Sequence, residues 1–277
     1  MNRKEILVTG SNGYIGYNFI QKYSNKYFFN VVSLSANDIP DMSKTNTVLH
    51  LSALVHQTKV LPEKNYFDIN TVQTVNLAKK AKKYGVEHFI FYSTIRVYGP
   101  HGSFNEEINI LNEISECKPE DAYGKSKLLA EKEILMLADN QFKVTVIRPP
   151  IVYGKNCKGN FERLRNLVKL FPILPFNYTN NKRSIVSIEN LLSFTELVID
   201  KQVTGILIPQ NKNQYSIKQL TKMISKDLNK KVILFRFPRP LFSFLIKIKP
   251  KSMQSLYGTL IFDSNITNKR TSFKPKY

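Results

Sequence analysis

The stretch Glu5–Thr9 (EILVT) followed at once by Gly10-Ser-Asn-Gly13-Tyr-Ile-Gly16 constrains the fold more than any other part of the chain. An apolar, β-branched run of that length reads as a buried strand. From Tyr14 to Tyr23 the apolar spacing becomes helical, so the glycines fill the turn between a strand and a helix. Glycines there let the backbone turn tightly and approach a pyrophosphate, whose charge then sits at the helix N-terminus. The spacing is GxxGxxG and not GxGxxG, so the match is to the mechanism and not to the letter of the fingerprint.

The alternation continues. Strands are expected at Asn30–Leu34, Thr47–Leu51, His88–Ser93 and Lys143–Ile147. Between them a long helix is predicted over Tyr66–Tyr84, with Val72, Val75, Leu77, Ala78 and Ala81 as its apolar positions and Gly85 as its stop. A second helix is predicted over Tyr123–Ala138. Strands alternating with helices imply right-handed crossovers and an α/β fold with a doubly wound parallel sheet. After Arg148-Pro149-Pro150 the alternation weakens into short helices (Phe161–Leu170, Glu189–Ile199, Ile217–Leu228), strands (Ile206–Pro209, Val232–Phe235) and proline-rich turns. The expected division is a dinucleotide-binding part over 1–155 and a smaller α/β substrate lobe over 156–277, with part of 182–210 returning to the first.

Two Tyr-x-x-x-Lys pairs occur, Tyr123/Lys127 and Tyr178/Lys182. The second leads into Thr-Asn-Asn, a turn, and its residues have no common face. The first opens a helix, where positions i and i+4 are neighbours. A lysine beside that tyrosine is expected to favour the phenolate and draw its pKa down from about 10, fitting it to exchange a proton with a sugar hydroxyl or carbonyl. Tyr92-Ser93-Thr94-Ile-Arg-Val-Tyr98-Gly99 ends a strand where open parallel sheets present reactive groups.

Together with His50-Leu-Ser-Ala53, Asn70 and Arg148-Pro149, these residues resemble the extended short-chain dehydrogenase/reductases, a Rossmann-fold class. More narrowly they are similar to the NAD-dependent epimerase/dehydratase group acting on nucleotide sugars. The resemblance implies a catalytic set of Thr94, Tyr123 and Lys127. It implies cofactor contacts from Gly10, Asn12, Gly13, Tyr14, Ile15, Gly16, Leu51, Ser52, Ala53, Asn70, Tyr123, Lys127 and Pro150. Asn160 and Arg183 take the diphosphate-holding role beside Thr94, and a guanidinium fork suits a diphosphate better than an ammonium does. The stretches Leu54-Val55-His56, RPPIVYG, GNFERL and LYGTLIFDS are similar to CapN-type capsule and O-antigen reductases. They imply reduction of the C4 keto group of a UDP-2-acetamido-2,6-dideoxy-hexos-4-ulose, with 4-epimerisation of a UDP- or polyprenyl-diphosphate-linked N-acetylhexosamine as the alternative. A nucleotide sugar is the implied substrate and a second copy of the chain an implied partner.

No carboxylate follows strand two until Asp38, where an acid normally holds the ribose 2′-OH of NAD. That leans the expected cofactor from NAD towards NADP. His50 and His88 lie in strands and read as packing residues, whereas His56 follows a strand end and is a candidate substrate contact. No metal-ligand spacing occurs, and Cys117 and Cys157 read as reduced thiols of a cytoplasmic protein.

Charge raises a different class of reading. The net charge is +20, and residues 201–277 carry 16 Lys and Arg against Asp227 and Asp263 alone. A nucleic-acid partner is set aside, since 32 lysines against nine arginines make a field of solvated point charges and no recognition motif is present. The segment Arg236–Lys251 interleaves cations with Phe, Leu and Ile and has no acid, a composition suited to an anionic membrane surface. Pro238, Pro240 and Pro250 are expected to limit any helix there to about two turns.

Overall fold

The computed structural model describes residues 3–34, 41–55, 61–99, 102–104, 110–157, 159–178 and 180–276. His56 and Asp38, singled out above, lie outside them.

Its centre is a six-stranded parallel sheet. β1 (Glu5–Thr9) is followed by helix α1 (Tyr14–Tyr23), then by β2 (Phe28–Val32) and β3 (Thr47–His50). Next come α2 (Glu63–Phe67), a π-helical turn (Asp68–Gln73) and α3 (Thr74–Lys83), leading to β4 (His88–Tyr92) and a 3-10 turn (Ile95–Tyr98). After a short strand β5 (Ile110–Leu111) come α4 (Ala122–Leu135) and β6 (Lys143–Ile147). The remaining elements are β7 (Ile151–Tyr153), α5 (Asn160–Leu170), β8 (Ile173–Leu174), β9 (Ile185–Ser187), α6 (Ile188–Lys201) and β10 (Gly205–Leu207). The last are α7 (Ile217–Asp227), β11 (Ile233–Leu234), α8 (Arg239–Ile248), α9 (Pro250–Tyr257), β12 (Ile261–Phe262) and α10 (Asn265–Thr271).

The sheet runs β10-β6-β4-β3-β1-β2, every pair parallel. β2 lies on one side of β1 and β3 on the other, so the strand order reverses at β1. That switch point leaves a crevice at the C-terminal strand ends, where open α/β sheets take ligands. Side chains alternate between two cores. Ile6, Val8, Leu49, Ile90 and Ile147 pack towards Phe19 of α1 and Phe194 and Val198 of α6. Leu7, Val48, Phe89, Phe91 and Val146 pack towards Ala78 and Ala81 of α3 and Ala130 and Ile134 of α4. Burial on both faces is what near-continuous apolar strands of a parallel sheet require.

Several expectations shift. β2 starts two residues earlier than predicted, because Phe28 and Phe29 pair with Glu5 and Ile6. The long helix is broken by the π-helical turn, which inserts a residue and rotates the apolar phase. Val72, expected inside, is therefore 50% exposed, while Asn70 and Thr71 are buried. β10, inside the 182–210 stretch expected to return to the first part, is the edge strand of the main sheet beside β6. Helix α8 runs ten residues and not two turns. Pro240 falls in its first turn, where a missing N–H costs nothing.

Candidate active site

The turn after β1 shows why glycine is needed there. Gly10 has φ +72°, and a Cβ on it would stand 2.6 Å from the backbone nitrogen of Ser52. The β1 and β3 ends are thus in backbone contact. A Cβ on Gly16 would stand 2.5 Å from the Gly10 carbonyl oxygen, so helix and loop are equally close. Gly13 is the N-cap of α1 and brings no side-chain cap, which leaves the first-turn N–H groups to an anion.

A cavity of about 420 Å3 opens from this loop. Gly10, Gly13, Tyr14, Ile15 and Gly16 line one side, with Leu51 and Ala53 from the end of β3. Thr94, Tyr123 and Pro150 form another part of the wall, and Asn160 and Arg183 stand farther along it. Asn12 is exposed, and neither it nor Ser52 lines the cavity. Such a cradle fits the pyrophosphate of a nicotinamide dinucleotide.

Asn70 sits behind the wall. Its Oδ1 accepts from the Leu54 N–H (2.8 Å), and its Nδ2 donates to the Leu54 carbonyl (3.0 Å) and to Ser126 Oγ (3.1 Å). Ser126 Oγ donates in turn to the Tyr123 carbonyl (2.9 Å). The π-helical turn thereby ties the strand-end loop to the first turn of α4. Asp121 caps that helix, accepting from the Gly124 N–H at 2.7 Å, and it pairs with Arg96. Arg96 lines the cavity and donates its backbone N–H to Thr94 Oγ1 (3.2 Å).

Thr94 and Tyr123 stand in the same cavity wall, and the Thr94 hydroxyl favours the ionised form of the phenol. Burial pushes the phenol up to about 12, against the lowering expected from Lys127. The lysine is fully buried, with Nζ 4.0 Å from the centroid of the Phe91 ring, and burial draws it down to about 7. It does not line the cavity. The Glu131 carboxylate, one further turn along α4, opposes that lowering. Glu131 also holds Arg148 through Nε (3.1 Å) and Nη2 (2.5 Å), while Arg148 Nη1 donates to the Tyr98 hydroxyl at 2.5 Å. Glu131, Arg96 and Asp121 were not singled out in the sequence. Stepping on by four from Tyr123 and Lys127 would have reached Glu131.

Arg183 is 6% exposed, and its Nη2 donates to the Gln254 carbonyl at 2.6 Å. Burial lowers its guanidinium to about 10. Asn160 is the first residue of α5. Tyr178 is elsewhere, its ring 5.1 Å from Phe242 and 4.9 Å from Tyr257. His50 and His88 are buried packing residues as read: His50 lies between Thr9 (2.6 Å) and Thr74 (2.8 Å), His88 against Thr145 (2.7 Å). Neither cysteine is in a disulfide, and no group of three or more metal-ligating side chains occurs among the described residues. Nor is any described helix long and apolar enough to cross a membrane.

A parallel sheet that turns at its switch point onto a glycine loop and an adjoining cleft defines a dinucleotide-binding enzyme, here of the extended short-chain dehydrogenase/reductase type. Residues 6–207 match the NAD dependent epimerase/dehydratase family, and the chain belongs to it. A UDP-glucose 4-epimerase of Vibrio cholerae is 33% identical, over 98% of this chain and 91% of that protein. An N-acetyl-alpha-D-glucosaminyl-diphospho-ditrans,octacis-undecaprenol 4-epimerase of Escherichia coli O157:H7 is 24% identical over 85% and 76%. The solved structure of a Bacillus cereus UDP-glucuronic acid 4-epimerase in complex with NAD superposes with a TM-score of 0.74 at 21% identity. That match covers 99% of this chain and 94% of the other.

Proposed function

We propose that the protein is a 4-epimerase of a diphosphate-linked N-acetylhexosamine, with Tyr123 moving the proton of the sugar's 4-hydroxyl. The observation that carries this reading is the placement of Thr94 and Tyr123 in one cavity wall between the glycine loop and Arg183. Similarity to two 4-epimerases supports it over 4-keto reduction, the activity expected first from the sequence.

Tyr123 takes the proton from O4 as C4 is oxidised to a ketone. After the sugar turns its other face, Tyr123 returns that proton as C4 is reduced. Thr94 bonds the same oxygen and orients it. Asn160 and Arg183 hold the diphosphate, whose charge offsets the cost of burying the guanidinium. NAD, when bound along the glycine loop, would supply the hydride acceptor and donor for C4, and a positive nicotinamide ring near Tyr123 would favour the phenolate against the burial that holds the phenol up at about 12. Lys127, buried one turn behind the phenol and drawn down to about 7, can take up or release a proton near neutral pH beside that transfer. The lean towards NADP rested on the residues after β2, and the family description names NAD instead.

The test is to dialyse purified enzyme and supply N-acetylglucosamine linked through diphosphate to UMP or to farnesol, without added cofactor. The galacto epimer by NMR, with NAD released on denaturation, is the expected result. Enzyme free of NAD that consumes NADPH on a UDP-linked 4-keto-6-deoxy hexose would instead establish the reductase.

The same reading sets the C-terminal lobe against an anionic membrane. Leu241, Phe244 and Ile248 of α8 are 43–58% exposed, in a helix flanked by Arg236, Arg239, Lys247 and Lys249. Exposed Leu129 on α4 and Val72 on the π-helical turn support a homodimer through those helices.

A further inference from the structure

The cavity that holds Tyr123 does not end at Arg183. A second cavity of about 390 Å3 adjoins it, and the two share Ile151, Asn160, Phe161, Arg183 and Ser255. The pair read above as holding the diphosphate therefore stands at a junction. On one side lie the glycine loop and Tyr123; on the other lies whatever the diphosphate is attached to.

Beyond the junction the wall becomes aliphatic. α5 contributes Leu164 and Leu167, α7 contributes Ile217 and Leu220, and α9 contributes Leu256. Polar side chains there are Arg163, Lys251 and Ser252. A nucleoside in this space would bury two ribose hydroxyls and the polar edge of a base. Each such group left without a partner costs about 1–3 kcal/mol; the five aliphatic side chains offer none, which leaves Arg163, Lys251 and Ser252 to satisfy them all. A branched hydrocarbon needs only apolar contact, worth about 25 cal/mol for each Å2 removed from water.

The aliphatic track also leads outward. α5 begins at Asn160 in the junction and spans about 16 Å. At its far end Leu170 is 68% and Phe171 50% exposed, and the two-stranded ribbon β8–β11 continues the surface with exposed Ile173 and Ile233. β11 runs on through Phe235 to α8, whose apolar face is likewise exposed. Exposed apolar side chains thus recur from the far end of α5, through the β8–β11 ribbon, to α8.

We infer that the second cavity takes the first prenyl units of a polyprenyl diphosphate, so that the carrier of the sugar is a lipid and not a nucleotide. The inference rests on the reading of Asn160 and Arg183 as the diphosphate holders.

Calorimetric titration of the full chain with farnesyl diphosphate, and separately with UDP, tests it. Farnesyl diphosphate should bind at least tenfold more tightly. Leu167→Asn and Leu256→Asn, both at half-buried positions, should weaken farnesyl diphosphate at least fivefold and leave UDP unchanged. Arg183→Ala should weaken both ligands. UDP binding as tightly as farnesyl diphosphate overturns the inference, as does farnesyl diphosphate binding that ignores Arg183→Ala, which would place it elsewhere. Should the leucine variants misfold, the wild-type comparison still decides. A protein that prefers farnesyl diphosphate but epimerises nothing sinks the proposed activity and spares the lipid site. One that epimerises the UDP-linked sugar and binds UDP more tightly does the reverse.

Discussion

Tyr123 and Tyr178 carry the same Tyr-x-x-x-Lys spacing and meet different fates. Tyr123 stands on a helix in the cavity wall that Thr94 shares; Tyr178 packs in a cluster with Phe242 and Tyr257. Tyr123→Phe keeps the ring and removes the proton carrier. Turnover should fall by roughly 10²–10⁴, the usual worth of a positioned acid or base, with NAD content unchanged. Tyr178→Phe should leave turnover within about twofold, because that ring acts by packing. Steady-state rates on the diphosphate-linked sugar, with NAD measured after denaturation, check both; equal losses would refute the distinction. Residue type and spacing singled out Tyr123 and Lys127, whereas Thr94 and Arg183 entered through the family resemblance; Thr94, Tyr123 and Arg183 line the cavity. They did not reveal the Tyr123 pKa. Burial dominates that quantity, and burial belongs to the whole cavity wall and not to one lysine a helical turn away.

Among the elements, what was legible was local. A strand, a glycine turn and a helix in direct succession need no distant contact, and β1, the glycine turn and α1 stand as read. The break in the long helix was not legible. A π-helical turn is stabilised where Asn70 reaches Leu54 and Ser126, partners contributed by other parts of the chain. Helix α4 shows both sides. Its course follows from apolar spacing, but its acids Asp121 and Glu131, not singled out in the sequence, hold Gly124, Arg96 and Arg148. Asp121→Ala removes the cap on Gly124 and the ion pair with Arg96 in one change. A lost cap costs about 0.5–2 kcal/mol. Urea unfolding should report a loss of that order. Turnover should drop more than stability alone explains, since Tyr123 stands in the first turn that the cap fixes. Asp121→Asn, which keeps an acceptor, should recover most of the stability; full activity in Asp121→Ala would detach the cap from the site.

For the whole molecule, acid and charge are the two general levers. His50 and His88 are both buried, and desolvation holds each imidazole down at about 3. An unfolded histidine titrates near about 6.5, so below that pH the unfolded chain binds protons that the folded chain refuses. Their contribution is complete above about pH 6.5 and is lost progressively as pH falls towards 3. The slope approaches about 1.4 kcal/mol per pH unit for each histidine. Between pH 6.5 and 5 most carboxylates are still charged, so urea midpoints in that window report mainly the histidines. His88→Gln should flatten the fall by up to half, and an unchanged slope would place the acid sensitivity elsewhere.

Charge acts at the other end of the chain. The lobe that bears α8 and the β8–β11 ribbon presents Leu170, Phe171, Ile173, Ile233, Leu241, Phe244 and Ile248 at 43% exposure or more. The same segments carry Lys169, Lys230, Lys231, Arg236, Arg239, Lys247 and Lys249 in or next to α5, β11 and α8. Apolar groups at this density seek a partner, and the cations decide which kind. Each lysine or arginine near an anionic bilayer is worth about 1 kcal/mol, an attraction that salt screens within a Debye length of about 10 Å at 0.1 M. Shallow insertion of the leucines and phenylalanines is not screened in this way. Co-sedimentation should therefore show binding to vesicles containing phosphatidylserine and little to neutral phosphatidylcholine vesicles. Raising the salt from 0.05 M to 0.5 M should weaken it several-fold. Phe244→Ser should reduce binding at both salt concentrations, whereas Lys247→Gln with Lys249→Gln should act mainly at low salt. Equal binding to neutral vesicles would leave the apolar face as the sole cause, and no sedimentation at low salt would remove the membrane from the account altogether.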